Sequence, residues 1–279
     1  FKIAGELGVK TAEIFFNSQC ELHSPVLNEI IGIQNYYGIS VRSIHPYTSF
    51  AEPYMLFGKY ERRTEEAIDF YKNYFEAAEA LGAECVVLHG GYLAHPQDEP
   101  LYAEVLNRLC TVAEPYSVST AHEIVVGRTG SSLEFMSALK RDCGKNFKAV
   151  LDIKQCRRSA VDEYKFIDLF ADDIMQIHIS DFNGSADCLP PGEGEYDFLK
   201  LFSYLKKSGY DKSAVIELYA DGYKDIKQIA DSKIYLENII RTTSSIIHCL
   251  YNFSSNLKKR FSLFFYTSVS HSILFFSII

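Results

Sequence analysis

Seven short apolar runs recur along the chain, and each carries a carboxylate or an imidazole, in all but the first run at or near its C-terminal end. The runs are AEIFF (12–16), VRSIH (41–45), CVVLH (85–89), VSTAHE (118–123), KAVLD (148–152), MQIHI (175–179) and AVIEL (214–218). Their polar residues are Glu13, His45, His89, Glu123, Asp152, His178 and Glu217. With 36 acids and 8 histidines in 279 residues, such a residue falls at roughly one position in six, so seven matches in seven runs exceed chance. The segments between the runs have helical periodicity. In TEEAIDFYKNYFEAAEALG (64–82), Ile68, Tyr71, Phe75, Ala78 and Leu81 recur at steps of three and four. Glu65 and Glu66 are expected in its first turn, where the helix dipole favours negative charge, and Gly82 is expected to stop it. Strands alternating with helices predict parallel βαβ units.

Spacing selects the architecture. The run ends from His45 to Glu217 are separated by 26 to 44 residues, the repeat of a (β/α)8 TIM barrel. A doubly wound open sheet would place a glycine-rich phosphate loop after its first strand. HGG at 89–91 is not such a loop. In a barrel, the C-terminal strand ends form the active-site face, which places the seven polar residues around one mouth. Side-chain alternation supports this: Val150 and Asp152 share a face, as do Gln176, His178 and Ser180, and Val215, Glu217 and Tyr219. Three carboxylates converging without a counter-charge would repel and titrate upward. Glu123, Asp152, His178 and Glu217 therefore form an oxygen-rich O3N set suited to one divalent metal ion: Mn2+, Mg2+, Co2+ or Zn2+.

Composition bounds the rest. A net charge of -8 argues against nucleic-acid partners. The seven cysteines form no CxxC pair, and with no signal peptide at the given start they suggest reduced thiols and a cytoplasmic location. The two ends depart from the barrel pattern. The chain opens at Phe1 in what reads as the middle of a helix, so the barrel is expected to lack its first strand. Residues 1–240 carry the barrel pattern, and 241–279 form an atypical apolar tail. After Lys258-Lys259-Arg260 the tail runs FSLFFYTSVSHSILFFSII, with 12 apolar residues in 19. The tail admits three readings. A membrane anchor is disfavoured by its Ser, Thr and His content. The others are a cover for the barrel, and an aberrant, disordered or non-native terminus, the last favoured by loss of amphipathic pattern.

The segments VKTAEIF, SIHPY, LGAECVVLHGG, HEIVVGRTG, FKAVLDIKQ, IHISDF, LPPGEGEYDF and AVIELY, in this order, resemble the xylose isomerase-like TIM-barrel superfamily of sugar phosphate isomerases and epimerases. The resemblance implies a mononuclear metal site at Glu123, Asp152, His178 and Glu217. It implies proton transfer through a cis-enediolate, with Glu123 and Glu217 as the catalytic carboxylates. It places His45 and His89 against sugar hydroxyls, Glu193 near the mouth, and Asp181 either orienting His178 or contacting substrate, with loop capping as the bland reading of Asp181. The implied partner is a small sugar or sugar phosphate, with a homo-oligomer compatible with the fold, and Arg157-Arg158 offer a phosphate contact whose bland alternative is a solvated charge pair. Glu13 reads equally as site floor or surface salt bridge. The related AP endonuclease IV branch uses histidines like His45 and His89 for additional zinc ions. It also needs a histidine where Gln155 stands, and an Asp-x-His before the GEG loop, where this chain has SADCLPPGEG. A phosphodiesterase is thus the alternative activity, and a catalytically silent barrel fragment the alternative without activity.

Overall fold

The computed structural model describes residues 1–93, 98–257 and 275–278. The chain opens with α1 (Lys2–Glu6), β1 (Thr11–Phe15), α2 (Val26–Tyr37), β2 (Ser40–His45), α3 (Glu52–Met55), α4 (Glu61–Leu81) and β3 (Cys85–Leu88). It continues through α5 (Glu99–Ala113), β4 (Ser119–Glu123), α6 (Leu133–Cys143), β5 (Ala149–Asp152), α7 (Ile153–Arg158), α8 (Glu163–Phe170) and β6 (Ile174–Ile179). The last elements are α9 (Phe198–Lys207), β7 (Ser213–Leu218), α10 (Ile226–Leu257) and β8 (Phe275–Ile278). Every strand is parallel to its neighbours and the sheet closes on itself in chain order. This is the TIM barrel that the spacing predicts, and the boundaries of its first seven strands fall within one residue of the apolar runs.

Alternation along each strand separates two environments. Outward residues such as Ile14, Ile44, Val86, Leu88, Leu151, Ile177 and Ile179 join the large core beneath the helices. Inward Cys85, Val87, Ala121 and Val150 form a separate small apolar layer inside the barrel. Above that layer the interior turns polar, so the barrel is filled by side chains and its chemistry is confined to one end.

Helix α4 buries Ile68, Tyr71, Phe75, Ala78 and Leu81, the periodic stripe. It starts one turn earlier than the periodicity predicts: Glu61, not Glu65 or Glu66, is the acid of its first turn. That turn is exposed, so it leaves no apolar signal in the sequence. Gly82 ends the helix with φ 71°, a left-handed conformation that glycine adopts without a Cβ clash.

The tail departs from expectation. Helix α10 crosses position 240 without a break, and 275–278 pairs with both β7 and β1. The slot between the last and first predicted strands is therefore filled rather than open. An open barrel would leave two rows of unpaired backbone groups, and an apolar segment rich in Phe and Ile can pair with both. Lys258-Lys259-Arg260 and most of 261–279 lie outside the described residues, so the anchor reading of that stretch does too. Among the described residues, no helix is long and apolar enough to cross a membrane.

One buried imidazole faces outward from the barrel. His122 in β4 is fully buried; its Nε2 accepts from the Tyr102 hydroxyl at 2.6 Å and its Nδ1–H donates to the Glu123 carbonyl at 3.0 Å. The Phe57 ring stacks on Tyr102 at 4.0 Å. A Cβ on Gly130 would sit 2.2 Å from His122 Cε1, so glycine is required at that approach. Burial lowers the His122 pKa to about 4. Above the unfolded value of 6.5, both states carry neutral imidazole and its stability contribution is complete. As pH falls from there toward 4, the unfolded chain takes the proton and the folded chain refuses it. We expect a loss of roughly 3 kcal/mol from this group over that window. Urea unfolding from pH 7 to 4 measures the loss, and the His122 imidazole resonances should not titrate between pH 8 and 5.5; a midpoint near 6.5 would remove the explanation.

Candidate metal and active site

Four adjacent staves deliver the central group. Glu123 and Asp152 end β4 and β5, while His178 and Glu217 lie next to last in β6 and β7. Cross-strand register aligns Asp152 with His178 and His178 with Val215, so the inward side chains meet at one level. All four residues are buried, at 4% relative exposure or less. His178 Nδ1 is 3.3 Å from Glu123 Oε1 and 3.6 Å from Glu217 Oε2. One ligand-type atom from each of the four lies within 4.8 Å of the others. Asp152 also caps α7: its Oδ1 accepts the Gln155 amide at 2.9 Å. Its Oδ2, turned to the centre, has no hydrogen-bond partner, and neither has Glu123 Oε2.

A second group shares Glu123. His45 Nε2 and His89 Nε2 face each other at 2.8 Å, and they lie 3.8 and 2.9 Å from Glu123 Oε2. His45, His89 and Glu123 also bring ligand atoms within 4.8 Å of one another. Two groups that could each hold a cation thus share the Glu123 carboxylate. Beneath them, Glu13 is floor rather than surface: its Oε2 accepts from Ser43 Oγ at 2.6 Å and Gln176 Nε2 at 2.7 Å, and lies 3.2 Å from His178 Nε2.

Charge governs the group. Burial works against ionisation throughout, but neighbours decide each outcome. Burial raises Glu217, yet the Lys154 ammonium and His178 bring it down to about 2. Burial likewise raises Glu123, and His89, His178 and His45 more than offset that to hold it well below the usual range. Asp152 goes the other way: burial and the carboxylates of Glu217 and Glu123 outweigh Lys154 and push it well up. Burial lowers His178, but Glu13, Glu217 and Glu123 reverse this and raise it. Four buried carboxylates therefore face one ammonium and two imidazoles, His178 and His45, that their acidic neighbours shift toward the charged form, a deficit of positive charge that Asp152 expresses.

Several residues take other roles. Asp181 accepts the backbone amides of Phe182, Gly192, Gly194 and Tyr196 at 2.8 to 3.0 Å, so both its oxygens tie down the 190–196 loop. Glu193 is exposed and accepts from Gln228 Nε2 of α10 at 2.8 and 2.9 Å. Arg158 pairs with Asp187 at 2.7 Å and donates to the Tyr219 hydroxyl at 2.9 Å, while Arg157 lies 3.9 Å over the Phe182 ring.

Two residues escaped the sequence reading. Lys154 Nζ sits 2.8 Å from Glu217 Oε2 and 3.4 Å from Asp152 Oδ2. Extending the inward alternation of Val150 and Asp152 by two positions would have found it. Glu52, fully buried at the start of α3, accepts the His89 and Gly90 amides at 2.7 Å each and the Tyr71 hydroxyl at 2.8 Å. It fixes the backbone that carries His89. No local pattern marks it, because its partners lie on α4 and beyond β3.

A family model described as xylose isomerase-like TIM barrel matches residues 1–239. An uncharacterized protein of Methanocaldococcus jannaschii is 27% identical over 198 residues, and the chain spans 64% of that relative's length and 64% of its own. Among solved structures, a D-tagatose 3-epimerase-like protein superposes with a TM-score of 0.72 at 22% identity, covering 85% of this chain and 91% of that one. The IolI protein with a binding zinc atom superposes with a TM-score of 0.69 at 19% identity, covering 87% and 92%. At these identities the structural likeness establishes the fold.

Removing the Glu52 carboxylate leaves three donors without their acceptor. Glu52→Ala should cost about 3 kcal/mol or more, and Glu52→Gln less because one acceptor oxygen remains. Urea unfolding compares the two. Equal stability of Glu52→Ala and the parent chain would show that this carboxylate does not hold the loop.

Proposed function

The chain belongs to the xylose isomerase-like TIM barrel family, and we propose that within it the protein is a divalent-metal-dependent isomerase or epimerase of a sugar or sugar phosphate. The observation that carries this reading is the convergence of the buried Glu123, Asp152, His178 and Glu217, in which Glu123 Oε2 and Asp152 Oδ2 accept no hydrogen bond and meet only the ionisable groups of His45, His89 and Lys154. Buried carboxylates short of hydrogen bonds are costly, and the donor set of three oxygens and one nitrogen fits Mn2+, Mg2+, Co2+ or Zn2+. When bound, the ion supplies positive charge against the carbonyl and neighbouring hydroxyl oxygens of the substrate. The D-tagatose 3-epimerase-like neighbour supports the sugar class, and the zinc in the IolI structure supports the metal.

The chain's own residues divide the remaining work. Glu123 and Glu217 stand on β4 and β7, on either side of the intervening staves, and so flank a substrate in the mouth. Both are held ionised at neutral pH, the state a proton acceptor requires. One takes the proton from the carbon beside the carbonyl, and the other, or the same one, returns it through an enediolate. Such general acid–base help is typically worth 10²–10⁴-fold. Asp152 and His178 anchor, and His45 and His89 are placed to meet hydroxyls. Arg157 and Arg158 on α7 both pair with Asp187, so a phosphate would meet them only in competition with that carboxylate.

A second reading has one specific observation in its favour: the His45–His89–Glu123 group, which suits an additional ion as in AP endonucleases. Against it stand the net charge of -8 and Gln155, whose Oε1 accepts the Val126 amide at 3.2 Å where a third-site histidine would be needed.

Incubation of the protein with a ketose panel in D2O should carry deuterium into the carbon next to the carbonyl, and EDTA should stop it. Glu217→Gln should slow exchange by roughly 10²-fold or more while the circular dichroism spectrum is retained. Unchanged exchange in that variant would sink the role of Glu217. Three zinc ions per chain with cleavage of abasic-site DNA would favour the second reading. No bound metal and no exchange would leave a silent barrel.

A further inference from the structure

Among the described residues, Lys154 is the only fully buried lysine or arginine, and it is aimed at the centre of the four-residue group. It stands at the second position of α7, whose start is fixed by the Asp152 cap. The ammonium contacts Glu217 Oε2 and Asp152 Oδ2, from two of the group's three carboxylates, and lies 4.6 Å from the centre of the Tyr219 ring. Among the described residues, no comparable ammonium contacts the neighbouring group, where His45 and His89 meet Glu123 Oε2.

Two cations that need the same two carboxylates exclude one another. A divalent ion at the four-residue centre would share Asp152 and Glu217 with a positive charge already within hydrogen-bond reach, and like charges in a buried site repel strongly. Taking the ammonium away leaves both carboxylates to the ion. We propose that Lys154 is a resident cation that competes with the divalent ion for Asp152 and Glu217. It thereby sets a weaker affinity at the four-residue centre and favours His45, His89 and Glu123 as the first anchor of the ion. This rests on the metal-dependent reading above, and its failure can be told apart from the failure of that reading.

The test measures Mn2+ binding by titration calorimetry, with electron paramagnetic resonance of free Mn2+ as a second readout. The full chain is compared with Lys154→Met, Lys154→Gln and Lys154→Arg, and no activity measurement is needed. The Met and Gln variants should bind Mn2+ tighter by on the order of tenfold, and Mn2+ should raise their unfolding temperature more than that of the parent chain. Lys154→Arg, which keeps the charge, should stay near the parent. His89→Ala should weaken Mn2+ binding in the parent more than in Lys154→Met, as expected for coupled sites. Met and Gln variants that fold only with Mn2+ present agree with the proposal, because the ion then takes over the role of the ammonium. Unchanged or weaker binding in both would overturn it, as would failure of both to fold at saturating Mn2+. If the parent and all variants ignore Mn2+, the metal-dependent reading fails and the proposal falls with it. If all bind Mn2+ equally, the metal site stands and Lys154 is not its competitor.

Discussion

Four carboxylates packed into one end of a closed barrel need positive charge, and much of the site follows from how that need is met. Glu13, Glu123, Asp152 and Glu217 are all buried, where an isolated carboxylate pays a heavy desolvation cost. The molecule answers with hydrogen bonds at the floor, an imidazole between the carboxylates and the Lys154 ammonium above them. The answer is incomplete at Asp152 Oδ2 and Glu123 Oε2, and these are the oxygens that a divalent ion would satisfy. Stability and chemistry thus draw on the same charge deficit.

Holding such a group together requires a scaffold that cannot slip. A one-residue shift of any strand would turn its acid or histidine into the helical layer. Closure fixes each stave between two neighbours, and the segment 275–278 supplies the last of these pairings. Carboxylates also tie down the loops. Glu52 binds the backbone at His89 and Gly90, Asp181 gathers four amides of the 182–196 region, and Asp152 caps the helix that carries Lys154. Acidic side chains in this protein therefore serve as ligands, bases or backbone clamps according to how many N–H groups reach them.

The split between Glu193 and Glu123 illustrates the point. Both are acids in loop or strand-end positions at the same general end of the chain's βα units. Glu123 is enclosed by His45, His89 and His178, whereas Glu193 faces outward to Gln228. Residue type alone did not distinguish them; the path of the 190–196 loop did. Within β4 the division follows strand alternation: His122 points outward to Tyr102, while Glu123, one residue later, points into the mouth.

What the sequence by itself determined was the alternation: strand and helix in turn, inward acid or imidazole at each strand end, and hence a barrel with Glu123, Asp152, His178 and Glu217 at one level. Side-chain direction repeats every two residues in a strand, so this much is local information. Only the tertiary structure decided that Lys154 reaches Glu217 across 63 positions of chain, that Glu52 supports His89, that Asp181 is a clamp, and that the tail closes the barrel. Those pairings are made by partners distant in sequence, and their geometry exists only once the sheet has curled and closed.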